Sequence, residues 1–181
     1  MCIRDSFWDS LCKEHGGLSH AVVHEASHAV VAIHLGVSFV DVSVNSDPWN
    51  HRFDETRVIG GGVRLTSIED FERRVREDPL SSLQFCLAGA LGERAAFAHS
   101  LDRSYELDVN LWRTLAGLRE EQTMETIERA LGVPIAELTA STNAILKARS
   151  SSLVALAQLL GESADLSLTF NEVAEIVTHH G

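Results

Sequence analysis

Paired cysteines, a bilayer-length apolar run and a basic stripe are all missing from this chain, and each absence removes a class of protein. The three cysteines, Cys2, Cys12 and Cys86, are odd in number and lack CxxC spacing, which argues against a disulfide framework and against a thiolate metal site. Cys86 reads as a small core residue. No apolar stretch reaches the roughly 18 residues that span a bilayer, so no membrane segment is expected. The N-terminus also lacks the basic, apolar, small-residue order of a signal peptide, and a cytoplasmic location follows as the default. Fifteen basic against 26 acidic residues give a net charge of −11 with the basic residues scattered, which argues against nucleic acid as a partner.

What is present is an ordinary globular composition: 181 residues, 45% hydrophobic and 23% charged, enough for one domain with a real core. Residues 1–17 show no sustained period and end in Gly16-Gly17, so they are expected to be a leader or linker, or non-native sequence, ahead of a domain over 18–181. From Leu18 the pattern turns helical, with Val22, Val23, Ala26, Ala29, Val30 and Ile33 covering one broad face until Gly36 supplies a stop. Val37 to Val44 and Val58 to Leu65 read as strands, joined by a polar loop from Asn45 to Thr56 that holds Pro48, Trp49 and His51. Helices are expected over Ser67–Asp78, Leu80–His99, Glu106–Gly132 with a break near Glu121, Ile135–Leu160, and Asn171–His179 following Thr169. The fold class is therefore mainly α, with a small β-sheet inserted after the first helix.

His24-Glu25-Ala26-Ser27-His28 is an HExxH sequence inside the first of these helices. Positions four apart are separated by ~400° round a helix, so both imidazoles return to nearly one face, a turn apart, and can meet one metal. Glu25 then lies beside the metal, where a carboxylate can take a proton from a metal-activated water as it attacks a peptide carbonyl. The competing explanation is a chance match in a chain with nine histidines, which the placement on an amphipathic helix followed by strands disfavours. His20, a turn before His24, reads as a partly exposed residue near the helix start rather than as a fourth ligand.

A catalytic zinc usually takes three protein ligands, so a third must come from elsewhere. His34 falls at the last histidine of an HExxHxxGxxH pattern, but Val31 stands where that pattern needs glycine, and in an unbroken helix His34 sits ~240° round from His28. Glu93, within Leu87-Ala88-Gly89-Ala90-Leu91-Gly92-Glu93-Arg94-Ala95-Ala96-Phe97, is either a ligand or an acid that steadies a ligand histidine. Asp108 is either a ligand or a helix-start acid favoured by the dipole.

His24 to Val31 resembles the HEAGHAxV segment of the peptidase domain of the FtsH family of ATP-dependent zinc metalloproteases. Leu87-Ala88-Gly89 with Glu93 and Phe97 is similar to that family's LAGRAAEELVF stretch, and Asp108 with Leu115-Ala116 is similar to its SNDxxxATxxA segment. Leu153 through Val177 resembles the family's C-terminal helices, with Thr169 to Ile176 matching LTGEEIxxI. The resemblance implies a zincin-type peptidase with Zn2+ held by His24, His28 and Asp108 and with Glu25 as general base. Ser27 departs from the family's glycine, Arg94 from its second glutamate, and Tyr105-Glu106-Leu107 from the residues ahead of its aspartate, which leaves Glu106 as a reserve ligand. No GxxxxGK[ST] phosphate loop occurs, so ATP-driven unfolding is not expected of this chain. The expected activity is zinc-dependent cleavage of unfolded proteins or peptides, alone or fed by a separate ATPase partner. The alternatives are a regulatory protease that cuts one partner protein, and a zinc-stabilised binding domain without activity.

Overall fold

The computed structural model describes residues 18–45, 60–98, 102–118, 124–162 and 167–180. The expected leader with Cys2 and Cys12, and loop residues Pro48, Trp49 and His51, lie outside the described residues. The elements are α1 (Leu18–Leu35), β1 (Phe39–Asn45), β2 (Gly60–Leu65), α2 (Ile68–Glu77), α3 (Pro79–Phe97), α4 (Asp102–Leu115), α5 (Met124–Leu131), α6 (Ile135–Ala148), α7 (Ser150–Glu162), β3 (Ser167–Thr169) and α8 (Phe170–His179). The chain is thus mainly helical with one small sheet, as its pattern predicts, and no helix among the described residues is long and apolar enough to cross a membrane.

The core is organised around α1. Val22, Val23, Ala26, Ala29, Val30, Val31 and Ala32 are fully buried, so the apolar surface wraps most of the helix, as it must in a helix covered on several sides. Its neighbours are α3, α6, α7 and α8 together with β1 and β2. Gly36 ends it: with φ +67° its own N–H bonds to the Ile33 carbonyl (3.4 Å), and the Val37 N–H reaches back to Ala32 (2.8 Å), a Schellman closure that L-side chains resist. The guanidinium of Arg74 on α2 donates to the Leu35 and Gly36 carbonyls and so holds the same end.

The sheet is antiparallel in the order β2-β1-β3. In β1, Phe39, Val42 and Val44 point inward, and Val42 pairs with Val63 on one side and Leu168 on the other. Asp41 and Arg64, also paired in register, form a cross-strand ion pair. Because β1 is central, the outer edge of β2 carries no strand among the described residues.

Helix starts follow local chemistry. Ser67 Oγ accepts the Asp70 N–H at the start of α2, and Asp78 accepts the Ser81 N–H ahead of α3, where Pro79 takes the first turn. Thr169 and Glu172 form a reciprocal capping box at α8. Two expected helices divide differently. The piece over Glu106–Gly132 starts earlier, at Asp102, and is two helices, α4 ending at Leu115 and α5 beginning at Met124; the expected break near Glu121 lies outside the described residues. The piece over Ile135–Leu160 is two helices that meet at Arg149, next to a run of three serines, Ser150 to Ser152. β3 is an additional strand, three residues long.

Candidate metal centre

Three elements build the site. α1 supplies His24, Glu25 and His28, α3 crosses it with Phe85, Gly89, Gly92 and Glu93, and the second turn of α4 brings Asp108. The crossing is close because α3 lacks side chains where α1 approaches. A Cβ on Gly89 would lie 2.4 Å from the His24 ring, and one on Gly92 would lie 1.8 Å from Ser27 Oγ. Ser27 fills the space left by Gly92 and donates to the Val23 carbonyl at 2.6 Å.

His24 Nε2 and His28 Nε2 lie 3.0 Å apart, and Asp108 Oδ2 lies 3.1 Å from the first and 3.2 Å from the second. The histidines are buried, and the Asp108 side chain is about three-quarters covered at 27% exposure. On the far side of each ring, His24 Nδ1 donates to Glu93 Oε1 at 2.6 Å, and His28 Nδ1 donates to the Phe85 carbonyl at 2.8 Å. Both acceptors carry no hydrogen to give, which places the ring protons on Nδ1 and turns an Nε2 lone pair inward on each ring. Three electron-pair donors therefore converge with a spacing of about 3.1 Å.

Such a set repels itself unless a cation or a proton lies between its members. A triangle of that side has a circumradius of about 1.8 Å, within the ~2.0–2.1 Å reach of a zinc–nitrogen bond, so His24, His28 and Asp108 could all hold one ion. The donor set, two imidazole nitrogens and one carboxylate oxygen, fits a divalent transition metal. Among the described residues this is the group of His, Cys, Asp and Glu side chains that could hold one.

The electrostatics without a metal express the same crowding of acceptors. Burial alone would lower the His24 pKa, but hydrogen bonds to Asp108 and Glu93 and the charge of Glu25 outweigh it and lift it to about 10. Burial works to raise Asp108, yet the charge of His28 and hydrogen bonds from both histidines hold it well below the usual carboxylate range. Glu25, 7% exposed, is pushed up by burial, with His24 and His28 opposing the shift. A carboxyl raised in this way is better matched to proton transfer near neutral pH than an ordinary glutamate.

Of the residues singled out from sequence, His24, His28 and Asp108 come together, with Glu25 buried beside them. Glu93 is not in the triad. It is 1% exposed and accepts from the outer nitrogen of His24. Glu106 is exposed on α4 and His34 is exposed in the last turn of α1, so neither joins the cluster. His20, the third residue of α1, is partly exposed near the helix start, as expected, and lies 3.2 Å from Glu93. Sequence reasoning missed Gly92 and the Phe85 carbonyl, of which the second carries no residue-type signal at all. Cys86 is a buried core residue, as expected, and burial pushes its thiol pKa up. In comparisons with known proteins, no family model matches the chain and no curated protein matches it.

Proposed function

We propose that this chain is a zinc-dependent endopeptidase of the FtsH peptidase-domain type, acting on unfolded proteins or peptides. The observation that carries the proposal is the convergence of two imidazole lone pairs and one carboxylate oxygen at 3.0–3.2 Å, with the buried Glu25 between the two histidines in sequence. A zinc ion bound there supplies a Lewis acid that polarises the scissile carbonyl and lowers the pKa of water to about 7.

The residues divide the remaining work. His24, His28 and Asp108 would hold the ion. Glu25, with its raised pKa, accepts the proton of the attacking water and returns it to the leaving amine. Glu93 and the Phe85 carbonyl hold the two rings in the Nδ1–H tautomer. The edge of β2 that carries no strand among the described residues offers backbone groups to a substrate strand, the extended form in which a peptide must be held for cleavage. Folded substrates require a separate unfoldase, such as an ATPase partner.

The test is Glu25→Gln, nearly isosteric but unable to accept the proton. At equal zinc content, wild type should generate new peptide ends from casein and the variant should be slower by about 10²–10⁴-fold, roughly 3–5 kcal/mol of barrier. Equal cleavage by both proteins would sink the mechanism, and no cleavage by either would transfer the site to a zinc-stabilised binding module.

A further inference from the structure

We infer that His20 is a positioning residue for this site, fixing the carboxylate of Glu93 against the ligand His24, an assignment that rests on the metal reading above. His20 and His24 are four apart on α1 and face the same way. Glu93 on α3 meets both: Oε1 takes the His24 Nδ1 proton at 2.6 Å, and Oε2 lies 3.2 Å from His20 Nδ1. An ionised carboxylate only accepts, so His20 Nδ1 is the donor in its pair. One carboxylate is thus held through opposite oxygens by two rings from the same helix.

The second anchor matters because the terminal torsion of a glutamate is broad and soft. Any turn of the Glu93 carboxylate plane would carry with it the 2.6 Å bond that orients the ligand ring. His20 removes that freedom, and its own ring is fixed in turn. It stacks on Phe97, one turn beyond Glu93 on α3, with centroids 4.3 Å apart at 41°. His20 therefore sits in a slot between two side chains of α3, with its side chain 13% exposed. A glutamate that is 1% exposed also needs hydrogen-bond donors to offset its lost hydration, and His20 is one.

The experiment separates the donor from the ring. His20→Phe keeps an aromatic ring for Phe97 and deletes the N–H, whereas His20→Asn restores an N–H at the reach of Nδ1. Zinc affinity, read by competition with a chromophoric chelator, should fall about 10-fold in His20→Phe, the low end for an outer partner of a metal ligand, and return to within about threefold in His20→Asn. The visible spectrum of the cobalt-substituted protein should shift in the first variant and recover in the second. Wild-type zinc affinity and an unchanged cobalt spectrum in His20→Phe would overturn the assignment, as would equal weakening in both variants, which would assign the effect to packing. Unmutated protein gives an independent check if His20→Phe does not fold: nitrogen-detected spectra should show His20 protonated at Nδ1, and a bare Nδ1 overturns the assignment. His24→Ala serves as the reference. If it also retains wild-type zinc affinity, the metal reading itself has failed and His20 falls with it; if it alone loses zinc, only the role of His20 is refuted.

Discussion

Replacing Gly89 with alanine adds one methyl group at the place where α3 passes under the metal-binding ring. The new Cβ would lie 2.4 Å from His24 Cε1 and Nε2 and 2.6 Å from Cδ2, whereas ordinary contact begins near 3.4 Å. The ring must retreat by about 1 Å, several times the ~0.2 Å tolerance of a metal–ligand bond. It cannot simply swing aside, since Nδ1 is held at 2.6 Å by the buried Glu93. Two stability effects compete: alanine gains about 1 kcal/mol over glycine in a helix, and overpacking costs about 1–3 kcal/mol. The net expectation is a loss of up to about 2 kcal/mol together with loss of stoichiometric zinc. Gly62→Ala is the control, because its Cβ would meet nothing within 4 Å and should leave zinc in place. Metal content after dialysis and thermal melting of both variants read the two effects separately. A folded Gly89→Ala protein with wild-type zinc affinity would refute the reasoning.

Asp108→Ala should lose zinc outright, while Glu93→Gln should weaken it by about 10–100-fold; a larger effect at Glu93 would identify it as the ligand. Zinc uptake at neutral pH should be accompanied by proton release, because His24, lifted to about 10 in the metal-free site, must give up its Nε2 proton, whereas Asp108 is already ionised. Calorimetric heats that do not vary with the ionisation enthalpy of the buffer would contradict this. Gly92→Ala should destabilise by about 1–3 kcal/mol through its clash with Ser27, and the double variant with Ser27→Gly should recover to within about 1 kcal/mol, since the helix-propensity changes cancel. Melting curves of the four proteins in that cycle decide it, and additive losses would show that the two positions do not touch.

Much of this was legible in the sequence because it depends on local chemistry. α1 stops at Gly36 because one residue had to adopt positive φ, and α8 starts at Thr169 because its hydroxyl and Glu172 satisfy each other's backbone. The His24–His28 pair follows from helical spacing alone. β3 was not legible, since three residues are too few to show alternation and its pairing with β1 depends on a segment far away in the chain. The choice among Asp108, Glu106 and Glu93 also exceeded local pattern, because only the packing of α3 on α1 and of α4 on α3 decides which carboxylate faces the Nε2 atoms. Ser27 and Gly92 make the same point: the Ser27 side chain on α1 fills space that Gly92 leaves on α3, a pairing that neither local segment shows by itself.

The helix that carries His24 and His28 is made before much of what buries it. α1 packs against α7 and α8, and β1 is flanked by β3, so its cover comes from the far end of the described chain. Asp108 follows His24 by 84 residues. During synthesis the two histidines therefore precede both their third ligand and their hydrophobic cover, and closing those long loops is deferred until the C-terminal helices exist. Under the proposed function, a chain built this way stays inactive until its last helices are made. Chains stopped before Ser150 should neither fold nor retain zinc, and a truncation series followed by circular dichroism and metal analysis would show how late the site forms.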